Sequence, residues 1–306
     1  MSEVKKFPFT SILGWSATRY EIFSICKRKY FYHYYGKYDP DNSARDLKRL
    51  KVLVSIPLET GGIVHSVFET LLRRLRQTPE SIDVERFIDY AETMTADQIE
   101  KSEFDEIVYG DLDKINIDDI FPKVKACLEN FLESERFDWL TGVAINTSDD
   151  WIIEPPGYGE SRLNDLKVYC KVDFLFPVEG VFHIIDWKTG KVVSEKHRKQ
   201  LLGYATWAAY HFEVDPDNVR PTIAYLYPEY AEVDEVVAAE DLENFAFQVK
   251  AETDEMYEYC RDVEGNIPID MEEFMLVDHE KICEYCNFRG ICFPETYSFT
   301  FDQKRG

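Results

Sequence analysis

Two acidic residues and a lysine mark the ends of two neighbouring predicted strands. The strand FHIIDWK ends with Asp186, Trp187 and Lys188, and the strand before it, KVDFLF, contains Asp173. Side chains alternate across a strand, so Asp186 and Lys188 share one face and Trp187 points to the other. With PVEG as a four-residue hairpin loop, Asp173 is predicted opposite Ile184. It would then be a diagonal neighbour of Asp186 on the same face.

Two carboxylates arranged in this way favour the binding of a divalent cation. The Cβ atoms of diagonal neighbours lie about 6–8 Å apart, so both carboxylates can reach one hard cation with oxygen ligands at about 2.0–2.6 Å. The cation would remove the repulsion between two like charges on a partly buried face. Lys188 could orient or deprotonate a water molecule and stabilise charge that develops on a phosphate. For an isolated Asp-x-Lys, a simple surface ion pair is the more common alternative.

The elements that must position these residues predict an α/β protein. The spacing of apolar residues predicts helices at about 17–35, 62–77, 194–212 and 240–262, with further helices between 80 and 140. Strands are predicted at 166–176, 181–187, 222–228 and 232–238, and a loop at 39–59. We expect one domain over residues 1–306, built on a central mixed sheet of four or five strands flanked by helices. It would carry a helical insertion at about 80–140 and a C-terminal tail at about 265–306.

Three of the seven cysteines, Cys283, Cys286 and Cys292, fall within ten residues as C-x2-C-x5-C. No secretory signal is recognisable, and a cytoplasmic location without disulfides is expected. The spacing then indicates metal chemistry, which needs a fourth ligand. Iron–sulfur clusters and structural zinc sites both accept four thiolates. Zinc sites more often use two C-x-x-C pairs, and this chain has one.

The net charge of −23 argues against general adhesion to nucleic acid, but the charge is unevenly spread. Residues 19–77 contain 12 basic and 6 acidic side chains, whereas residues 229–280 contain 2 basic and 18 acidic ones. A basic N-terminal quarter could line a groove for phosphates; solvated helix faces and chance clusters are the alternative. No apolar stretch is long enough to span a bilayer. No GxxxxGK[ST] motif is present, so no P-loop is expected.

The order of motifs resembles the PD-(D/E)XK nuclease superfamily, in its RecB-like branch with an iron–sulfur cluster, which includes CRISPR-adaptation exonucleases. The matching residues are Cys26 in SICKRK, His65 in GGIVH, Asp173 in CKVD, Asp186 and Lys188 in IIDWKTG, Gln200 and Tyr204 in QLLGY, and Cys283, Cys286 and Cys292 in CEYCNFRGIC. Cys170 departs from the pattern, because the family usually has glycine three residues before the first acid. The resemblance implies a restriction-endonuclease-like fold.

The resemblance also implies roles for these residues. His65, Asp173, Asp186 and the backbone carbonyl of Trp187 would bind Mg²⁺ or Mn²⁺, and Lys188 would position or activate water. Gln200 and Tyr204, four residues apart on a helix, would hold Lys188 or the DNA backbone. The four cysteines Cys26, Cys283, Cys286 and Cys292 would bind a [4Fe-4S] cluster that ties the N-terminal helix to the C-terminal tail, with Zn²⁺ as the alternative.

The function implied is metal-dependent hydrolysis of phosphodiester bonds in DNA, by an exonuclease rather than an endonuclease, acting on single strands or ends. Without a P-loop, the chain would need frayed ends, single strands, or a helicase or other DNA-processing partner. The resemblance extends to DNA repair, recombination, CRISPR adaptation, and phage or defence systems. The alternative is a non-catalytic iron–sulfur module that binds DNA ends or a partner protein, with the acidic helices as the protein contact.

Overall fold

The computed structural model describes residues 7–78, 82–155, 160–191, 194–277 and 280–301. Its helices are α1 (Ala17–Ile25), α2 (Lys27–Tyr35), α3 (Ala44–Lys51), α4 (Ile56–Gln77), α5 (Val84–Lys101), α6 (Asp105–Val108), α7 (Phe121–Leu132), α8 (Glu135–Gly142), α9 (Ser194–Phe212), α10 (Ala239–Tyr257), α11 (Glu280–Glu284) and α12 (Arg289–Cys292). Its strands are β1 (Ile152–Ile153), β2 (Glu160–Leu163), β3 (Leu166–Tyr169), β4 (Phe174–Val178), β5 (Val181–Lys188), β6 (Val219–Tyr225), β7 (Ala231–Asp234), β8 (Cys260–Asp262) and β9 (Ile267–Pro268).

A five-stranded mixed sheet with the order β1-β4-β5-β6-β7 lies at the centre of the fold. Strand β5 runs antiparallel to β4 and parallel to β6, while β1 and β7 pair antiparallel at the two edges. Parallel neighbours need a crossover connection, and α9 provides it between β5 and β6. The predicted α/β class and the mixed sheet flanked by helices are confirmed.

The hairpin between β4 and β5 is tighter than predicted. Glu179 and Gly180 form a two-residue turn with φ angles of 50° and 83°, and Val178 pairs with Val181 across it. The type I′ turn, one of the two favoured two-residue hairpin turns, has positive φ at both central positions, which glycine adopts without strain. The predicted four-residue loop is therefore wrong, because Pro177 and Val178 still belong to the strand.

The tighter turn changes the partner of Asp173 but not its face. Phe174 pairs with Ile185, so the register places Asp173 opposite Asp186 instead of Ile184. The shift is two residues, which equals the side-chain period of a strand, and both acids therefore stay on one face. The two carboxylates become direct neighbours, which brings them closer than the diagonal arrangement would.

The central sheet separates two hydrophobic cores. Leu175 and Ile184 belong to the core beneath α1, α2, α9 and α10, whereas Phe174 and Trp187 belong to the core beneath α4, α5 and α7. Along β5 this alternation puts Asp186 on the face covered by α9, with an exposed fraction of only 1%. A carboxylate buried so deeply needs polar partners, because burial without them is costly.

The helix predicted at 17–35 is in fact two helices, α1 and α2, separated at Cys26. This residue has extended backbone angles (φ −156°, ψ 115°), and its Sγ accepts the N–H of Lys29 at 3.4 Å. The thiol thereby caps α2 in the manner of a serine or aspartate side chain. The prediction of one helix is wrong because the aromatic periodicity continues on both sides of the break and does not reveal it.

Two other predicted segments contain more structure than expected. The predicted loop at 39–59 includes α3 and the start of α4; Ser43 Oγ caps α3 by accepting the N–H of Asp46 at 3.3 Å. The predicted strand at 166–176 is divided, since β3 pairs with β2 in a separate two-stranded sheet and β4 joins the central one. Residues 170–173 between them belong to neither strand.

The predicted insertion at about 80–140 is largely helical in the residues described there and consists of α5 to α8. Its helix α7 packs on α4 through Phe131 and Phe68, whose ring centroids lie 4.8 Å apart. Both rings also contact Trp187, each at 5.0 Å. The insertion therefore supports α4 and the end of β5 from one side. Within the described residues, no helix has the length and apolar character of a membrane span.

Candidate active site

Asp186 is held by two side chains from α9. Gln200 Nε2 donates to Asp186 Oδ1 at 2.8 Å, and the hydroxyl of Tyr204 donates to the same oxygen at 2.9 Å. Residues four apart lie on one face of a helix, so both can reach a single carboxylate oxygen. In the structure both side chains contact the acid next to Lys188, and their predicted contact with Lys188 or the DNA backbone stays a prediction.

The other oxygen of Asp186 faces Lys188. Lys188 Nζ lies 2.5 Å from Oδ2, so the two side chains form an ion pair. Burial and then the charge of Asp173 raise the pKa of Asp186 to about 6, although Lys188 and Tyr204 act in the opposite direction. Each carboxylate oxygen has more than one lone pair, so Oδ2 can contact Lys188 and still coordinate a cation.

Three side chains close to this pair form a compact donor group. His65 Nδ1 lies 3.3 Å from Glu154 Oε1 and 3.4 Å from Asp173 Oδ2. One potential ligand atom from each of the three residues lies within 4.8 Å of the other two. His65 comes from α4, whereas Glu154 and Asp173 come from the ends of paired strands, so three separate parts of the chain meet here.

The backbone of Trp187 fixes the geometry of this group. Its N–H donates to Asp173 Oδ2 at 3.0 Å, and its carbonyl oxygen accepts from His65 Nε2 at 3.1 Å. The N–H of Glu154 donates to the carbonyl of Asp173 at 2.9 Å. Main-chain hydrogen bonds at the end of β5 therefore align the histidine and an acid, while the Trp187 ring anchors the strand in the core.

A proton on His65 balances part of the charge of the donor group. Burial alone would lower the pKa of His65, but the neighbouring Asp173 and Glu154 outweigh it and raise the pKa to about 10. In the absence of metal, the imidazolium therefore neutralises part of the negative charge. Coordination through an imidazole nitrogen requires the neutral ring, so cation binding here would release a proton.

Glu154 is the site residue that the sequence analysis missed. It follows β1 directly, and its Oε2 lies 2.5 Å from Lys171 Nζ. A usable signal was present: WIIE at 151–154 repeats the apolar-apolar-acid pattern of HIID at 183–186. The signal was obscured because the Gly- and Pro-rich residues that follow made the region read as irregular.

These donors fit a divalent cation. One imidazole, two carboxylates and a backbone carbonyl oxygen are available around the group, and carboxylates at such distances repel each other unless a cation lies between them. An imidazole in the set suits Mn²⁺ at least as well as Mg²⁺. Of the predicted ligands, His65, Asp173 and the Trp187 carbonyl adjoin one another. Asp186, the fourth, lies beside them. Its own contacts are Lys188, Gln200 and Tyr204.

Glu154→Gln is expected to weaken the binding of Mn²⁺ by about 10- to 100-fold, because it removes a charge from the donor group and keeps the side-chain shape. Isothermal titration calorimetry with Mn²⁺ measures this. Glu179→Gln, at the exposed turn between β4 and β5, is the matched control and should bind like the wild type. Equal Mn²⁺ affinity for Glu154→Gln and the wild type would remove Glu154 from the donor group.

The four predicted cluster cysteines come into one neighbourhood. Cys26 caps α2, Cys283 lies in α11, Cys286 in the following turn, and Cys292 ends α12. Burial first, and then the charges of the neighbouring cysteines, raises the pKa of Cys292 to about 12. Cys26 also contributes to the raised pKa values of Cys283 and Cys286. Among the described residues, however, no three of these sulfurs lie mutually within 4.8 Å.

That spacing bears on which metal group the cysteines fit. A tetrahedral zinc with Zn–S bonds of about 2.3 Å brings its sulfurs to about 3.8 Å from one another. The thiols do not have this closed arrangement. They are near enough for their charges to interact, but within the described residues they do not form a metal site.

Comparisons with known proteins address the family directly. A family model described as the PD-(D/E)XK nuclease superfamily matches residues 14–293. No curated protein matches the chain. Six solved chains match; one, titled "Crystal structure of SSO0001", is 16% identical, with a TM-score of 0.29, and the match covers 56% of this chain and 74% of that one. The family match spans nearly all of the chain and includes every residue of the site, and the chain therefore belongs to the PD-(D/E)XK nuclease superfamily.

Proposed function

We propose that this protein is a metal-dependent deoxyribonuclease that hydrolyses phosphodiester bonds as an exonuclease acting on single strands or ends. The observation that carries the proposal is the buried pair Asp186 and Lys188 beside the donor group of His65, Glu154 and Asp173. Burying several charged side chains together costs a fold free energy. Here the acids, the histidine and Lys188, two residues after Asp186, come from separate elements and meet in one place. Their presence together in a chain of a nuclease superfamily supports catalysis.

The side chains have distinct roles in this proposal. His65, Glu154, Asp173, Asp186 and the carbonyl of Trp187 would hold Mg²⁺ or Mn²⁺, which supplies Lewis acidity and lowers the pKa of bound water. Lys188 orients the attacking water and offsets negative charge that develops on the phosphate.

Gln200 and Tyr204 keep the Asp186 carboxylate in one orientation, so that Lys188 meets a fixed partner. This arrangement is a preorganised site, in which polar groups do not need to reorient during the reaction.

We further propose that Cys26, Cys283, Cys286 and Cys292 bind a [4Fe-4S] cluster, as in the RecB-like branch. One feature supports an iron–sulfur group over zinc: only one C-x-x-C pair is present in the sequence, whereas zinc sites more often use two. The cluster would join α2 to the C-terminal tail.

Basic side chains near the cysteines would contact a DNA backbone, and the groove that holds them is also lined by four acids, Asp105, Glu106, Asp111 and Glu284. A groove of about 690 Å³ beside α2, α3 and the tail is lined by Lys29, His33, Lys51 and Tyr285, among others. Burial and then the charges of Lys51 and Lys29 lower the pKa of His33 to about 4. Asp105, an acid in the same groove, is paired with Arg289 at 2.8 Å. Backbone binding of this kind would weaken steeply with salt.

The test is a nuclease assay on the full chain, purified anaerobically, with end-labelled single- and double-stranded DNA. With Mn²⁺ we expect shortening of single strands from an end, and with a chelator no cleavage above background. Cleavage that is equally fast without any divalent cation would contradict the proposal. Intact circular single strands separate the modes: an exonuclease leaves them uncut, and an endonuclease opens them.

A second candidate function is a non-catalytic module that binds DNA ends or a partner protein. The acidic side chains of α5 and α10 favour it as a protein contact. Binding of labelled DNA ends with no cleavage under any divalent cation would support this candidate and rule out the nuclease. A helicase or another DNA-processing protein is the partner that we propose in either case.

A further inference from the structure

A cavity adjoins the candidate active site and is used by none of the roles assigned above. It measures about 540 Å³ and lies between α1, the segment after β3, and α9. This volume falls in the range of about 300–1,000 Å³ that small-molecule sites occupy. The lining residues that matter here are Trp15, Tyr20, Tyr169, Lys171, Gln200 and Tyr204.

The cavity is continuous with the residues that would hold the reacting phosphate. Gln200 and Tyr204 line it and also bond Asp186. Lys171 lines it too, and its Nζ contacts Glu154 of the donor group at 2.5 Å. If the donor group holds a phosphate of the substrate, the part of the substrate next to that phosphate lies beside this cavity.

The walls are aromatic, and one of them is rigidly placed. A Cβ atom at Gly14 would lie 2.4 Å from a ring carbon of Tyr169, so the ring packs directly on the glycine backbone. Tyr20 is fixed by a hydrogen bond from its hydroxyl to Glu255 at 2.8 Å. Aromatic rings held in this way are suited to stacking against a flat, unsaturated ring system.

The charges of the cavity favour a nucleotide. Lys171 has an exposed side-chain fraction of 51% and is paired with Glu154, so it lies between the donor group and the cavity mouth. Lys199 also lines the cavity and is paired with the buried Glu252 at 2.6 Å. Among the lining residues that the structure describes, Glu21 is the only acid. Aromatic rings interleaved with lysines are the pattern of surfaces that bind single-stranded nucleic acid.

We propose that this cavity binds an unpaired nucleobase of the strand being cut, next to the reacting phosphate. The proposal rests on the proposed nuclease function and adds the reason for its preference for single strands. A base inside a duplex is stacked and paired, so it can enter such a cavity only after being turned out of the helix, which costs free energy. An unpaired base enters without that cost and gains the stacking contact with Tyr169 or Tyr20.

The experiment compares a single-stranded oligothymidylate with an abasic deoxyribose-phosphate oligomer of the same length and charge. Affinities for the full chain are measured by fluorescence anisotropy in a chelator, so neither probe is cut. The wild type should bind the oligothymidylate about tenfold more tightly. Tyr169→Leu should reduce the ratio of the two affinities to near one, and Tyr169→Phe should keep it. Tyr90→Leu, on α5 and outside the cavity lining, is the control and should also keep it.

Equal affinity of the wild type for both probes would overturn the proposal, as would a full ratio in Tyr169→Leu. If Tyr169→Leu does not fold, Tyr20→Leu tests the other tyrosine of the lining with the same expected loss. Parallel incubations with Mn²⁺ separate the two proposals. Base-dependent binding without cleavage leaves the nucleobase site standing and removes the nuclease; cleavage without base dependence removes the nucleobase site alone.

Discussion

Asp186→Asn is expected to abolish metal-dependent cleavage and, without metal, to stabilise the fold. Asparagine keeps the oxygen that accepts hydrogen bonds from Gln200 and Tyr204. It removes the negative charge that a cation and Lys188 require, so cleavage should fall by about 10³-fold or more. It also removes a buried like charge beside Asp173, whose repulsion, together with burial, raises the pKa of Asp186 to about 6.

The gain in stability should depend on pH in a defined direction. The folded pKa of Asp186 lies above the ordinary value of 3.8, so the folded state binds a proton that the unfolded chain has already released. The cost of ionising this carboxylate in the fold is absent below about pH 4 and complete above about pH 6. At neutral pH, asparagine should therefore raise the free energy of unfolding by about 1–3 kcal/mol.

Thermal unfolding in a chelator from pH 4 to 7, with the Mn²⁺ nuclease assay beside it, tests both parts. Asp165→Asn, at the exposed turn between β2 and β3, is the matched control and should change neither quantity. Mn²⁺ should raise the melting temperature of the wild type more than that of Asp186→Asn, because a ligand stabilises the state that binds it. Cleavage at the wild-type rate by the variant would remove Asp186 from the active site.

The sequence was sufficient to predict the face shared by the two acids and the lysine. That prediction depended only on the two-residue period of a strand, and so it survived a loop length that was wrong by two residues. Parity is a robust property of Asp173, Asp186 and Lys188, whereas register depends on turn conformation. The positive φ at Glu179 and Gly180 is a local preference that apolar periodicity does not contain.

The sequence analysis missed two kinds of feature: a side chain that caps a helix by bonding to its backbone, and contacts between residues of different helices and strands. Cys26 leaves the helical conformation and caps α2, which its place in an aromatic repeat does not indicate. Glu154 joins the site because β1 pairs with β4; the local WIIE pattern indicates an acid at the end of a strand but not the partner of that strand. The bonding of Gln200 and Tyr204 to Asp186 depends on how α9 packs over β5. Tertiary packing decides these details.

The C-terminal tail is held to the domain by contacts that do not involve a cluster. Arg289 is buried with an exposed fraction of 4% and forms two hydrogen bonds with Asp105, at 2.9 and 2.8 Å. Asn287 donates to the carbonyls of Leu50 and Leu53 at 2.9 and 3.0 Å. Loss of a cluster should therefore loosen the connection between α2 and the tail without releasing the tail completely.

Cys26→Ser is expected to prevent assembly of the proposed cluster and to lower the free energy of unfolding by several kcal/mol, because a metal-mediated tie between distant parts of the chain is lost. Serine is a favoured helix N-cap, so the start of α2 is preserved and the loss of stability cannot be assigned to capping.

Cys127→Ala is the control: this core thiol is fully buried, and its truncation should cost about 1 kcal/mol while iron content stays at the wild-type level. Iron and sulfide analysis, absorbance near about 400 nm and thermal unfolding of anaerobic preparations measure these effects. A colourless wild type with stoichiometric zinc, or Cys26→Ser with undiminished iron, would contradict the cluster.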